Sequence, residues 1–312
     1  MLELADHWVW DSWYARDGED HHVFFLRASR ALGDPDRRHL RASVGHAVSR
    51  DMREWTLLPD ALVPADSPAW DDQATWTGSV VRHGGTWHLF YTGVSRAENG
   101  RVQRIGHAVS ADILTWERKG MLLEADPALY ERYTPTSGWF DEAFRDPWVF
   151  PDPSGEGWHM LFTARVAGPD HTRTRGVVGH ATSPDLESWT QQKPLSRPAA
   201  TGFGQIEVTQ LHKVDGQWVL LFCCGPREAS DARRAQNPAG DNYTVVVDDP
   251  LSGFDIDAAR PFEHESLYAA RLVDIDERPH LIGFRNIEED GFVGGLIDPI
   301  PVRLEDGRLV RA

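Results

Sequence analysis

The sequence has few cysteines, no long apolar run and a shortage of basic residues. Its two cysteines, Cys223 and Cys224, are adjacent. Neighbours in a β-strand point to opposite faces, so we expect neither a disulfide between them nor a metal site. The chain has no apolar span of membrane length and no signal-peptide pattern at the N-terminus. We therefore expect a cytoplasmic protein that does not contact the membrane.

The charge balance excludes some classes of partner. Lys and Arg total 32 against 48 Asp and Glu, which gives a formal net charge of -16. Because no basic stripe is present to neutralise phosphates, nucleic acid and anionic lipid are poor candidates. A small neutral substrate fits this charge better. The oligomeric state stays open.

Tryptophan is abundant, with 13 residues among 312. Its indole gives a flat apolar face with one N–H donor, which suits both β cores and the binding of sugar rings. We expect most of these side chains in the core.

Short apolar β runs recur five times, about 60–70 residues apart, a repeat of the kind that propeller blades show. The runs are 21–26, 87–91, 158–162, 217–222 and 279–284. Each is preceded by another apolar strand and, in most copies, a turn with Gly, Asp or Pro. These preceding strands are 10–14, 75–81, 144–150, 206–214 and 267–273.

A third strand is nearly identical in three of the repeats. Gly-His-Ala-(Val/Thr)-Ser-x-Asp begins at residues 45, 106 and 179, and is followed by Trp55, Trp116 and Trp189. This pattern indicates a strand, an Asp-capped turn and a fourth, outer strand. The histidines could be ligands, but their equivalent positions favour packing within each blade.

Five four-stranded units without a long amphipathic helix predict an all-β fold. We expect one domain over residues 1–312, a five-bladed β-propeller with antiparallel blades around a central funnel. A tail from about residue 298 is expected to supply a last strand that closes the ring. The first strand of each blade lines the funnel, so residues far apart in sequence meet there.

The five inner strands carry polar side chains at similar distances from the β run that follows. Asp11 lies 13 residues before Phe24, and Asp146 lies 13 residues before His159. Glu207 lies 11 residues before Trp218. Blade 2 offers Thr77 and blade 5 offers Tyr268 at matching places. Three converging carboxylates suit glycoside chemistry, which needs a nucleophile or base and a protonated acid. Proximity of the acids raises the pKa of one of them.

Four segments resemble motifs of levansucrases and invertases. They are Val-Trp-Asp-Ser-Trp at 9–13, Trp-Thr-Gly-Ser at 76–79, Arg-Asp-Pro at 145–147 and Ile-Glu at 206–207. Order and spacing agree over nearly the whole chain, and the resemblance is strongest to the levansucrase-type fructosyltransferases. It implies a retaining β-fructofuranosidase or fructosyltransferase that acts on sucrose or a short β-fructoside, without cofactor or metal.

The resemblance also implies roles for individual residues. Asp11 would be the nucleophile, Asp146 the stabiliser of the transition state, and Glu207 the acid/base. The implied sugar-binding residues are Trp10, Trp76, Thr77, Ser79, Arg145, Arg227 and Tyr268. Thr77 or Ser79 would hydrogen-bond Asp11, and Tyr268 would close the pocket near Asp11.

The chain departs from the levansucrase pattern at Gln205 and Val208, where that family has Glu and Arg, so acceptor preference is open. Two alternatives use the same scaffold. One is an inverting arabinofuranosidase or xylosidase, and the other is a non-catalytic propeller that binds a sugar or a protein.

Overall fold

All five inner strands predicted from the repeats are present in the computed structural model of the chain. It describes residues 1–136, 138–169, 171–238, 240–262, 264, 266–289 and 291–312, and only the backbone of residue 241. Five four-stranded antiparallel sheets, each formed mainly from consecutive strands, build a five-bladed β-propeller. The predicted fold is therefore confirmed.

Blades 1 to 3 share one plan, in which consecutive strands pair from the funnel outwards. Blade 1 contains β1 (His7–Asp17), β2 (Asp20–Ser29), β3 (Ser43–Ser49) and β4 (Thr56–Leu62). Blade 2 contains β5 (Ala74–His83), β6 (Thr86–Val94), β7 (Gln103–Ser110) and β8 (Glu117–Glu124). Blade 3 contains β9 (Arg145–Pro151), β10 (Trp158–Arg165), β11 (Gly176–Ser183) and β12 (Thr190–Gln192).

Blades 4 and 5 are less regular. Blade 4 contains β13 (Glu207–Val214), β14 (Gln217–Cys224), β15 (Asp241–Val247) and β16 (Arg260–Pro261). Blade 5 contains β17 (Leu267–Ile275), β18 (Arg278–Arg285), β21 (Ile300–Glu305) and β22 (Arg308–Arg311), with the hairpin β19 (Ile287–Glu288) and β20 (Gly291–Phe292) between them. The expected C-terminal tail thus supplies the two outer strands of blade 5.

Helices are few and short. The α-helix α1 (Asp231–Gln236) begins at Ser230, whose side chain accepts a hydrogen bond from the Arg233 N–H. The described connections contain four 3-10 helices: Arg30–Leu32, Pro35–Arg41, Thr172–Thr174 and Ile256–Ala258. Within the described residues, no helix combines the length and apolar character that a membrane crossing requires.

The repeated histidines pack inside the blades, as predicted. Each third-strand imidazole hydrogen-bonds a second-strand imidazole, at 2.8–3.0 Å. The pairs are His22–His46, His88–His107 and His159–His180. His46 and His107 also stack on phenylalanine rings of the second strand. Hydrogen bonding satisfies the ring nitrogens that face each other, and stacking fills the space between sheets.

The tryptophans before the outer strands join neighbouring blades. Trp116 of blade 2 packs edge-on against Phe24 of blade 1, with ring centroids 5.8 Å apart. Trp189 of blade 3 packs in the same way on Phe90 of blade 2, at 5.7 Å. At the other end of the ring, Leu2 and Leu296 exchange backbone hydrogen bonds of 3.0 Å. Contacts between adjacent blades therefore hold the funnel together.

Candidate active site

A β-bulge interrupts every inner strand at the level of the site. The register shifts fall at Asp11 in β1, at Thr77 in β5, across from Phe162 in blade 3, and just after Glu207 and Tyr268 in β13 and β17. A bulge re-aims the side chains beside it. Five bulges at one depth turn polar side chains from all blades toward one space.

This space is a pocket of about 490 Å³ at the mouth of the funnel. Nine of the ten predicted site residues line it: Trp10, Asp11, Trp76, Thr77, Arg145, Asp146, Glu207, Arg227 and Tyr268. Ser79 does not, because its hydroxyl is buried between blades and accepts a hydrogen bond from the Val149 N–H. The expectation that Ser79 serves the sugar or Asp11 is therefore wrong.

Asp11 occupies the bulge of β1 and, among the described residues, receives one side-chain hydrogen bond. The Thr77 hydroxyl donates to Asp11 Oδ2 at 2.5 Å. Gly78, the residue after Thr77, lets β5 lie close to β6, since a Cβ there would lie 2.0 Å from the carbonyl oxygen of Phe90. Burial, together with the neighbouring Asp146 and Glu207, raises the pKa of Asp11 to about 7.

Asp146 is fixed more tightly, with 2% of its surface exposed. Its backbone adopts the left-handed region, at φ 58°. Its Oδ2 accepts hydrogen bonds from the Thr163 hydroxyl at 2.7 Å and the Val208 N–H at 3.2 Å. Burial raises the pKa of Asp146, and the neighbouring Arg145 guanidinium opposes that rise. A carboxylate fixed at both backbone and side chain suits the binding of a ligand in one orientation.

Both oxygens of Glu207 accept hydrogen bonds. Arg145 Nη2 donates to Oε1 at 2.7 Å and Gln205 Nε2 at 3.0 Å, while the Tyr268 hydroxyl donates to Oε2 at 2.6 Å. Tyr268, expected to close the pocket near Asp11, thus lines the same pocket as Asp11 and contacts Glu207. Gln205, noted in the sequence as a departure from the levansucrase pattern, positions the same carboxylate.

Arg145 connects the carboxylates. It is buried, and besides Glu207 it donates to Gln103 Oε1 at 3.0 Å. It also lies 3.5 Å from both Asp141 and Asp146. The planar guanidinium, with five N–H donors, can satisfy several oxygens at fixed angles. Gln103 and Asp141 were not predicted, because nothing in their local sequence marks them as polar residues of the funnel.

Arg271 of β17 lies beneath the site and was also missed. Only 1% of its surface is exposed, and it donates to the backbone carbonyls of Ser12, Val208 and Thr209. It therefore joins blades 5, 1 and 4. Burial lowers the pKa of Arg271 to about 10. One signal was available, since Arg271 is the only charged residue in the run 267–273.

The pocket wall contains groups from irregular segments as well. The 3-10 helix Pro35–Arg41 contributes Arg38, His39 and Leu40, and the loop after β14 contributes Arg227 and Glu228. The Trp76 indole N–H donates to the His39 carbonyl at 2.6 Å, which ties this insertion to blade 2. Burial and the nearby Glu207 raise the pKa of Glu228 to about 7. Among the described residues, no cluster of three or more His, Cys, Asp or Glu is arranged to hold a metal ion.

Comparison with known protein families identifies the family of the chain. The Glycosyl hydrolases family 32 N-terminal domain matches residues 16–289. The chain belongs to glycosyl hydrolase family 32. It is therefore an enzyme of a family whose members act on sucrose and related fructosides as glycosidases or fructosyltransferases.

Individual relatives agree with the family assignment. The chain is 30% identical over 232 residues to a sucrose-6-phosphate hydrolase of Bacillus subtilis, covering 72% of this chain and 43% of that protein. It is 30% identical over 155 residues to the sucrose-6-phosphate hydrolase of Zymomonas mobilis, covering 48% of this chain and 27% of that one. The chain thus spans less than half the length of these curated relatives.

The fold is shared with a solved inulosucrase. The inulosucrase from Halalkalicoccus jeotgali, solved bound to kestose, superposes with a TM-score of 0.79 at 22% identity. The superposition covers 98% of this chain and 87% of that one. At this identity the likeness shows the propeller fold alone.

Proposed function

We propose that this family 32 enzyme is a retaining β-fructofuranosidase or fructosyltransferase that acts on sucrose or a short β-fructoside. The observation that carries the proposal is the meeting of Asp11, Asp146 and Glu207 in one pocket, each held by different donors. Retaining glycoside cleavage needs one carboxylate that attacks the sugar and a second that transfers a proton, and a pocket with three carboxylates can supply both. Because the site draws on all five blades, we propose that the propeller acts as one catalytic domain.

In the first step, Asp11 attacks the anomeric carbon of the fructosyl unit. The bond from that carbon to the glycosidic oxygen breaks, and Glu207 transfers a proton to the departing oxygen. The products are a fructosyl ester of Asp11 and the free leaving sugar. Asp146 and Arg145 border the same space, where Asp146 accepts from ring hydroxyls and stabilises the positive charge of the transition state.

In the second step, Glu207 takes a proton from water or from a sugar hydroxyl. The resulting oxygen nucleophile attacks the anomeric carbon, and the ester bond to Asp11 breaks. Water gives hydrolysis, and a sugar acceptor gives transfer. Trp10 and Trp76 wall the fructosyl subsite, while Arg227 and Glu228 at the rim contact the leaving sugar or the acceptor.

A neutral sugar suits the charge of this pocket. The described lining of the pocket contains five acidic residues and three arginines. The acids are Asp11, Asp141, Asp146, Glu207 and Glu228, and the arginines are Arg38, Arg145 and Arg227. Arg145 already binds carboxylates, so a phosphate would meet a predominantly acidic lining. We therefore propose that sucrose is preferred over sucrose 6-phosphate, the substrate class named in two relatives.

The test is incubation with sucrose, with free glucose and free fructose followed separately and Asp11→Asn as control. Equal release that is lost in the control supports hydrolysis, and glucose in excess of fructose supports transfer. A parallel reaction with sucrose 6-phosphate tests the preference for a neutral sugar. Absence of release from both would overturn the proposal and direct the assay to arabinosides and xylosides.

The retaining mechanism needs its own measurement. Proton NMR of the first product formed from a β-fructoside should show the β-anomer before mutarotation. Initial release of the α-anomer would instead indicate inversion and exclude the covalent intermediate.

A further inference from the structure

Arg38 is a buried cation on the pocket wall that the mechanism above does not use. It belongs to the 3-10 helix Pro35–Arg41, an insertion between the second and third strands of blade 1. Only 8% of its surface is exposed, and it lines the pocket together with Trp10 and Asp11. Burial lowers the pKa of Arg38 to about 10, and the nearby Asp11 opposes that change.

The guanidinium is held in a fixed position by aromatic rings. Its central carbon lies 3.7 Å from the centroid of the Phe292 ring and 5.5 Å from that of Trp10. Phe292 belongs to the β19–β20 hairpin of blade 5, so insertions from two blades enclose the side chain. Such stacking fixes a planar cation before a ligand arrives.

Arg38 has few polar partners for so buried a group. Among the described residues, its one hydrogen bond runs from Nη1 to the Pro35 carbonyl, at 2.9 Å. Its Nε is buried without a partner. In the part of the chain that the structure describes, the only carboxylate in ion-pair range is Asp36, which is exposed and 3.8 Å away. An almost buried charge with unfilled donors is costly unless a ligand completes it.

We propose that Arg38 is a substrate-binding residue, which donates hydrogen bonds from the free edge of its guanidinium to hydroxyl oxygens of the sugar unit that Asp11 attacks. This inference rests on the proposed function. A hydroxylated neutral ligand fits better than an anionic one, because Asp11, Asp146 and Glu207 line the same pocket. The guanidinium fork places two N–H donors side by side, which matches adjacent oxygen atoms.

The experiment compares Arg38→Met, Arg38→Lys and Arg37→Met with the parent on sucrose. Methionine keeps an unbranched stem between Trp10 and Phe292, and lysine keeps the charge without the fork. Arg37 is an exposed residue of the same 3-10 helix and serves as the matched control. We expect kcat/KM to fall about 10-fold to 100-fold in Arg38→Met and Arg38→Lys, and to stay within about twofold in Arg37→Met.

The pH dependence separates charge from hydrogen bonding. Asp11 faces Asp146, Glu207 and Arg271 as well as Arg38. Loss of the Arg38 charge in Arg38→Met should therefore move the acid limb of kcat/KM to higher pH. Arg38→Lys should restore the position of the limb without restoring kcat/KM. A side chain that only packs the wall would not give this split.

Arg38→Met activity within about twofold of the parent, together with an inactive Asp11→Asn, would overturn this inference alone. If Arg38→Met does not fold, as judged by its unfolding curve, Arg38→Lys decides by the same criterion. If the parent does not cleave sucrose, the proposed function fails. Calorimetric titration with fructose then tests Arg38 alone: weaker binding to Arg38→Met supports the inference. Equal binding, or no binding to the parent, overturns it.

Discussion

The ionisation of Asp11 should determine how the activity depends on pH on the acid side. Its pKa is raised to about 7, chiefly by burial and by Asp146. A nucleophilic carboxylate must be ionised, so kcat/KM should rise with pH until about 7. The pH–rate profile of sucrose cleavage measures this directly, and an acid limb near pH 4 would contradict it.

The Thr77 hydrogen bond gives a second test at Asp11. Because this bond favours the charged carboxylate, Thr77→Val should move the acid limb to higher pH than in the parent. Ser79→Ala is the matched control, since it removes a hydroxyl from the same strand outside the pocket. A limb that moves equally in both variants would show that the Thr77 bond is not the cause.

The role of Glu207 is tested by changing the leaving group. Glu207→Ala should lower kcat on sucrose by at least about 100-fold, because the departing sugar oxygen needs a proton. Fructosyl fluoride, whose leaving group needs none, should lose far less in the first step. Rapid-quench measurement of both substrates checks this. Equal loss on both would argue against the acid role.

The sequence predicted which side chains line the pocket where a side chain lies on a repeated element. Asp11, Asp146 and Glu207 were found because their distances to the next β run are similar. Arg38 and Glu228 were missed because insertions and loops follow no repeat, so nothing fixes their direction. Ser79 shows the converse error, since it shares a motif with Thr77 but points between blades.

At the scale of the strand, the bulges carry backbone strain. Ala269 lies in the left-handed region at φ 45°, as do Asp146 and Val208 beside the bulges of blades 3 and 4. A left-handed residue with a Cβ costs about 1–2 kcal/mol, which glycine does not incur. Ala269→Gly should therefore leave the free energy of unfolding nearly unchanged, because this relief offsets the entropy cost of glycine.

The neighbouring Ala270 is the control for that substitution. It is equally buried but is not in the left-handed region. Ala270→Gly should lower the free energy of unfolding by about 1 kcal/mol. Urea unfolding of both variants measures the difference, and equal destabilisation would show that the bulge stores no such strain.

Strands were predicted well and bulges were not. Apolar runs and Gly-rich turns indicate where a strand begins and ends. A bulge changes the pairing by one residue, and that shift depends on the partner strand, such as the close approach of Gly78 to Phe90. Local sequence therefore predicts the element but not the direction of the side chains at its end.

For the whole molecule, the three imidazole pairs link stability to pH. Burial lowers the pKa of His46 to about 3 and those of His107 and His180 to about 4. The unfolded chain binds these protons near pH 6.5, so their contribution to stability is lost as pH falls below that value. Replacement of His107 by Gln should make the variant lose less stability than the parent between pH 7.5 and 5.

The variant must be compared with the parent at each pH, because other titratable groups in both proteins stabilise the folded state as pH falls. Asp11 and Glu228, with pKa values raised to about 7, bind protons in the folded state and favour it at lower pH. Urea unfolding of parent, His107→Gln and His83→Gln at several pH values isolates the imidazole effect. His83 is exposed and serves as the control. A difference independent of pH would contradict the assignment.

The whole fold was predictable because repetition averages out local ambiguity. Any one run, such as 217–222, is compatible with several structures, but five copies of a strand pair indicate a ring. The least regular blade, the fifth, was also the least predictable, since its outer strands come from the C-terminal tail.

The bulges of the five inner strands have a consequence for the redesign of this enzyme. Each bulge directs one side chain into the funnel at the same depth. The backbone of the ring, rather than the neighbouring side chains, sets that direction. A substitution at Thr77 or Tyr268 therefore changes the chemistry of one wall of the pocket, while the sheet behind that wall stays the same. An engineer who wants a different sugar in the funnel would vary these two positions, because the other three hold the proposed catalytic carboxylates.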